Sequence, residues 1–93
     1  MIKRYPREPS LEKDLGDLLT KLCVEWGFCI PPSDFHRIAA SQCLDAAEFA
    51  TEVLRAEGLD PEYELQWFRK IKRRFVEQFG ESVSAKDYSG GEW

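Results

Sequence analysis

The residues with the most distinctive chemistry in this chain are its three cysteines and its single histidine. Thiolate and imidazole groups are the usual ligands of structural zinc, so these four residues could form a zinc site. They are separated by five or six residues, and the chain lacks the closely spaced cysteine pair that brings two ligands to one metal ion. We therefore predict free thiols, no bound metal and no cofactor, with zinc binding as the alternative. The four residues are Cys23, Cys29, His36 and Cys43.

The cysteine count and the N-terminus both bear on the cellular compartment. Three cysteines cannot all pair within one chain. The first residues are basic and lead into a charged stretch, rather than into the apolar run of a secretory signal. No apolar run approaches the roughly 18 residues that span a bilayer. We therefore expect a cytoplasmic protein without membrane contact, in a reducing compartment where disulfides are rare.

Sequence motifs of known catalytic mechanisms are absent. The chain contains no glycine-rich phosphate loop, no Gly-x-Ser-x-Gly nucleophile elbow and no His-Glu-x-x-His motif. A nucleophile pair such as Cys29 and His36 could assemble in space. However, 93 residues of mostly helical pattern leave little room for a deep substrate pocket. We therefore predict a non-enzymatic protein with no catalytic residues.

The densest charged motif is the basic run at residues 69–74, which holds five of the thirteen basic residues. A row of cations on one helix face can bind successive phosphates of a nucleic acid, or it can be a solvated face or a protein contact. The net charge of −4 favours the second interpretation, and so does the absence of an aromatic residue between the cations on the exposed face, where it could stack on a base. On a helical wheel, four of the cations face away from the apolar side: Arg69, Lys70, Arg73 and Arg74.

Two further features are typical of protein contacts. The loop at residues 28–32 combines apolar side chains with two prolines, and its candidate interface residues are Phe28, Ile30, Pro31 and Pro32. Phe28 and Ile30 are also apolar enough to form a buried plug between helices, which is the interpretation we favour. Residues 42–66 contain seven acidic residues and one basic residue, whereas the following segment is basic. This asymmetry predicts an acidic helix beside a basic one, or self-association through complementary charge.

Apolar periodicity and capping residues predict the elements that position these side chains. The apolar spacing predicts three main helices at about 11–26, 45–57 and 61–79 and a short helix near 34–41. Asp45 and Asp60 are expected to cap the second and third main helices. Side chains spaced by four residues form an apolar seam on the last helix: Tyr63, Trp67, Ile71, Phe75 and Phe79.

The resulting fold prediction is an all-α, compact bundle of three main helices plus one short helix. We expect an extended N-terminal arm at 1–9, a single helical domain at 10–80, and a flexible, partly ordered C-terminal tail at 81–93. Ile30 and Val83 are candidates for a minimal two-stranded ladder. The predicted core lies around five residues: Trp26, Phe49, Trp67, Ile71 and Phe75.

We predict a small, non-enzymatic helical interaction module that binds a protein partner or itself. This prediction follows from the small size of the chain, the absence of catalytic motifs, and the acidic segment followed by a basic one. The alternative is a nucleic-acid-binding domain that uses the basic face of the helix at 61–79. Exposed arginines at Arg69, Arg73 and Arg74 without carboxylate neighbours would favour nucleic acid. A contiguous exposed apolar patch would favour the interaction module.

Overall fold

The computed structural model describes residues 11–86, which form four α-helices and two short β-strands. The prediction of a mostly helical protein is confirmed, but the two strands form a small sheet that an all-α bundle lacks. The predicted arm at 1–9 and the end of the predicted tail, 87–93, lie outside the described residues. The elements in chain order are α1 (Leu11–Trp26), α2 (Pro32–Ala39), β1 (Cys43–Asp45), α3 (Ala46–Ala56), α4 (Leu65–Phe79) and β2 (Ser82–Ser84).

The two strands pair antiparallel, with Leu44 opposite Val83. Hydrogen bonds from Ala46 N–H to the Glu81 carbonyl (2.9 Å) and from Ala85 N–H to the Gln42 carbonyl (2.7 Å) extend the ladder at both ends. Val83 is therefore in a strand as predicted, but its partner is Leu44 and not Ile30. Because β1 leads directly into α3 and β2 follows α4, the sheet holds the start of α3 beside the end of α4.

This arrangement makes α3 and α4 antiparallel neighbours that share an aromatic core. The Phe49 and Phe75 ring centroids are 5.0 Å apart, and both side chains are fully buried. Asp45 caps α3 as predicted, because its Oδ1 accepts a hydrogen bond from Glu48 N–H at 2.7 Å. The acidic helix does lie beside the basic one, and apolar side chains form their contact. The remaining fully buried large side chains are Leu15, Leu18, Leu22, Ile38, Val53, Leu54 and Ile71.

Helix α2 is joined to α3 by a charged link. Arg37 donates from Nη2 to Asp34 Oδ1 (2.8 Å) and from Nη1 to Glu52 Oε1 (2.6 Å). The pKa of Arg37 is raised above its ordinary value. The larger cause is the hydrogen bond with Asp34, and the second is the hydrogen bond with Glu52. Glu52 of α3 therefore pairs with a basic residue of α2 and not with the basic residues of α4. None of the four helices within residues 11–86 is long and apolar enough to cross a membrane.

Helix α4 begins four residues later than predicted. Asp60 Oδ1 accepts from Glu62 N–H (3.0 Å), and the Asp60 carbonyl accepts from Tyr63 N–H (3.0 Å) and Glu64 N–H (2.9 Å), which forms a separate turn. Glu64 then takes a non-helical backbone conformation, with φ −97° and ψ 53°, before α4 starts at Leu65. Tyr63 is therefore excluded from the predicted seam and is 84% exposed.

Candidate functional site

The four cations of the predicted basic face lie on α4 but have different surroundings. Arg69, Lys70 and Arg73 are exposed, whereas the side chain of Arg74 is only 23% exposed. Arg73 Nε lies 3.6 Å from Glu77 Oε2, one helical turn away. The face is therefore not an uninterrupted row of solvated cations.

Arg74 is held against the end of α1. Its Nη1 donates to Glu25 Oε1 at 2.9 Å, and its guanidinium carbon lies 5.0 Å from the centre of the Trp26 ring. A guanidinium at this distance from an aromatic face is attracted by the ring quadrupole. Arg74 thus joins α4 to α1, and a phosphate would have to compete with both Glu25 and Trp26 for it.

Trp67 lies at the centre of the same side of α4. Its ring centroid is 5.5 Å from that of Trp26 and 5.0 Å from that of Phe28, and Lys70 Nζ lies 4.8 Å from its centre. Trp67 is half-buried and Lys70 lies over its ring, so Trp67 does not present an exposed aromatic face between the cations. We call the surface formed by Trp26, Phe28, Trp67, Lys70 and Arg74 the closed flank of α4.

The predicted interface loop meets the basic face at this flank. Phe28 is buried, at 7% exposure, and Ile30 is half-buried, so these two residues form the plug that we favoured. Pro31 and Pro32 are exposed. Their main role is local, since Pro32 is the first residue of α2 and the Pro31 carbonyl accepts from Phe35 N–H at 2.9 Å.

The cysteines are not three free thiols, because Cys23 and Cys29 form a disulfide with a Cα–Cα distance of 4.3 Å. Gly27, with φ 81°, ends α1 and turns the chain so that Cys29 returns to the last helical turn. Phe28 N–H donates to the Leu22 carbonyl at 3.2 Å in the same turn. The prediction of free thiols was therefore wrong for this pair, which lies six positions apart. Cys43 is a free, exposed thiol on β1.

This pairing excludes the four-residue zinc site that was the alternative for these cysteines. Two of its sulfurs are bonded to each other and cannot act as thiolate ligands. Across residues 11–86, no group of three or more histidine, cysteine or acidic side chains is placed to hold a metal ion. His36 is exposed on α2.

The opposite side of α4 contains a groove that was not predicted from the sequence. Its volume is about 310 Å³, and it lies between the end of α3 and the start of α4. Leu65 is 49% exposed and Phe68 is half-buried, and both line the groove. The full lining is Thr51, Arg55, Asp60, Pro61, Glu62, Leu65 and Phe68.

Tyr63 lies in the chain between two residues that line this groove, Glu62 and Leu65. It is 84% exposed, and its side chain forms no hydrogen bond or ring contact with any residue in 11–86. The groove also holds Arg55, which forms no ion pair with another described residue. We call the groove together with Tyr63 the open flank of α4.

One sequence signal could have identified this surface. On the wheel of α4, Leu65 lies away from the arc that contains Ile71 and Phe75. An apolar residue outside the buried arc is a candidate contact residue. The exposure of Tyr63 was not predicted, because the predicted helix start at residue 61 placed this residue on the buried seam.

Comparisons with protein families, with curated proteins and with solved structures found no match to this chain.

Proposed function

We propose that this chain is a small, non-enzymatic protein-interaction module and that the open flank of α4 is its binding surface. The observation that carries the proposal is the exposure of Tyr63 (84%) and Leu65 (49%) beside a groove. Apolar side chains exposed singly are common, whereas apolar side chains exposed close together beside a concave surface are typical of protein contacts.

The chemistry of the open flank suits a protein partner. Tyrosine buries a large area when it binds, and with only two side-chain torsions it loses little conformational entropy. Arg55 and Glu62 supply opposite charges at the edge of the groove, where they can give a contact its orientation. Tyrosine and arginine, the residue types of Tyr63 and Arg55, are enriched among the residues that dominate binding energy.

Nucleic-acid binding through Arg69, Lys70, Arg73 and Arg74 is the second candidate, and the carboxylate contacts of two of these four cations argue against it. Glu77 lies beside Arg73, and Glu25 pairs with Arg74. Each carboxylate would oppose an approaching phosphate. We therefore expect a mixed-sequence duplex to bind no more tightly than about 0.1 mM at physiological salt, as measured by fluorescence anisotropy.

The cytoplasmic location stays a prediction, and the Cys23–Cys29 disulfide argues against it. Disulfides form and persist mainly in oxidising compartments. The open flank and its proposed role do not depend on the compartment, because the disulfide lies at the end of α1.

Site-specific photo-crosslinking tests the proposed surface. A photoreactive phenylalanine analogue replaces Tyr63 in one version of the full chain and Val24 in a control version. Val24 is a matched control because it is 77% exposed and lies on α1. Irradiation in an extract of the source cells should give protein adducts from position 63 and none from position 24. Equal adducts from both positions, or none from position 63, would contradict the proposal.

A further inference from the structure

We infer that the open flank of one copy binds the open flank of a second copy, so that Tyr63 of each chain enters the groove of the other. This inference rests on the proposed function, because it uses the same surface. It adds the identity of the partner, which is this chain itself.

The first argument is that a largely exposed tyrosine, Tyr63, neighbours groove-lining residues in the chain. Tyr63 lies one residue after Glu62 and two before Leu65, and both of these residues line the groove. A two-fold interface requires a surface that is complementary to itself, with a projection and a recess side by side. A two-fold axis that passes between Tyr63 and the groove would place the Tyr63 side chain of each copy opposite the groove of the other copy.

The second argument is that the groove can accommodate a tyrosine. Its volume of about 310 Å³ exceeds that of one aromatic side chain, and Leu65 and Phe68 supply apolar contacts. The phenolic hydroxyl of a buried tyrosine needs a hydrogen-bond partner. Thr51 and Asp60 in the groove lining both carry oxygen atoms that can accept from it.

The third argument is charge complementarity. Arg55 and Glu62 both line the groove, one on α3 and the other in the turn before α4. A two-fold rotation exchanges the two sides, so Arg55 of each copy can face Glu62 of the other. Arg55 forms no ion pair within residues 11–86, which leaves its guanidinium available for this contact.

Sedimentation equilibrium of the full chain tests the inference, with Cys43→Ser as a background change that prevents disulfide-linked dimers. We expect a reversible dimer, and we expect Tyr63→Ala to raise its dissociation constant by about tenfold or more. Val24→Ala is the matched control, and we expect it to change the constant by less than about twofold. A dimer that is equally stable with Tyr63→Ala would overturn the inference.

Charge reversal gives a second test that separates binding from folding. In a two-fold interface, Arg55→Glu alone opposes two carboxylates, and Glu62→Arg alone opposes two guanidinium groups. Each single variant should therefore be monomeric at concentrations where the parent dimerises. An equimolar mixture of the two variants should form a heterodimer, because both contacts then join opposite charges. Circular dichroism confirms that each variant is folded, and failure of folded variants to associate on mixing would overturn the inference.

The outcomes also distinguish this inference from the proposed function. A chain that stays monomeric up to about 0.5 mM does not form the dimer. If position 63 then still crosslinks to a different protein, the binding surface stands and only the identity of the partner is wrong. If position 63 crosslinks to nothing, both the inference and the proposed function fail.

Discussion

The closed and open flanks of α4 both contain aromatic residues and arginine, but these side chains are packed on one flank and exposed on the other. On the closed flank, Trp67 packs between Trp26 and Phe28, and the two nearest cations lie over the tryptophan rings. On the open flank, Tyr63 and Arg55 have no side-chain partner within residues 11–86. The surface on one side of α4 is therefore packed within the chain, whereas the surface on its other side includes side chains without a partner in residues 11–86.

This comparison shows that residue type alone does not identify a binding surface. Tryptophan and arginine are enriched at interfaces, yet the Trp26–Arg74 contact is satisfied inside the chain. The discriminating property is whether a side chain still has unused contact area and unused charge. Tyr63 and Arg55 meet that criterion, whereas Trp67 and Arg74 do not.

The largest expected effect comes from breaking the closed flank at its centre. Trp67→Ala removes the ring that contacts Trp26 and Phe28, and we expect it to lower the free energy of unfolding by about 3 kcal/mol. Leu65→Ala on the open flank should cost less than about 1 kcal/mol, since its side chain is 49% exposed. Urea denaturation of both variants measures the contrast. Equal losses would show that the two flanks are packed alike.

Periodicity and capping predicted the elements in which local and tertiary preferences agree. Helix α1 has one apolar arc and a glycine at its end, and the structure places it at Leu11–Trp26 as predicted. Helix α3 follows Asp45, whose capping bond to Glu48 was expected from their spacing. Of the five predicted core residues, Phe49, Ile71 and Phe75 are fully buried. The other two, Trp26 and Trp67, are half-buried and pack against the core.

The remaining features depend on interactions that local sequence does not determine. The Asp60–Pro61 pair starts a turn as readily as a helix, and the non-helical Glu64 separates that turn from α4. The β1–β2 ladder joins segments about forty residues apart, so its register depends on how α3 and α4 pack. The groove depends on the turn at Asp60 and on the packing of α3 against α4, because it is lined by residues of all three.

The next effect concerns the covalent link beside the closed flank. Removing the disulfide by Cys29→Ser should cost about 2 kcal/mol, the loop-closure value for cysteines six positions apart. The loss should affect the closed flank in particular, since the adjacent Phe28 packs on Trp67. Cys43→Ser is the matched control and should leave stability unchanged, because Cys43 is free and exposed. Urea denaturation without reductant measures both; an unchanged midpoint for Cys29→Ser would contradict the prediction.

A smaller effect tests whether the cations of α4 act as packing groups. Arg74→Gln should cost about 1 kcal/mol, since it removes a partly buried ion pair with Glu25 and a contact with Trp26. Arg73→Gln should cost less than about 0.5 kcal/mol, because its pair with Glu77 is exposed and long at 3.6 Å. Thermal denaturation at low and high salt separates the two variants. Equal costs would mean that Arg74 is an ordinary surface cation.

The smallest expected effect on the folded monomer belongs to Tyr63. Its side chain is 84% exposed and without partners in 11–86, so Tyr63→Ala should change the unfolding free energy by less than about 0.5 kcal/mol at dilute, monomeric concentration. Binding of a second copy stabilises the folded state by mass action, so the melting temperature of the parent should rise with protein concentration. That rise should disappear in Tyr63→Ala and persist in Val24→Ala. A large loss of stability in the dilute Tyr63→Ala variant would instead show that Tyr63 stabilises the folded monomer. The side chains of the open flank would then be packed within the chain, like those of the closed flank.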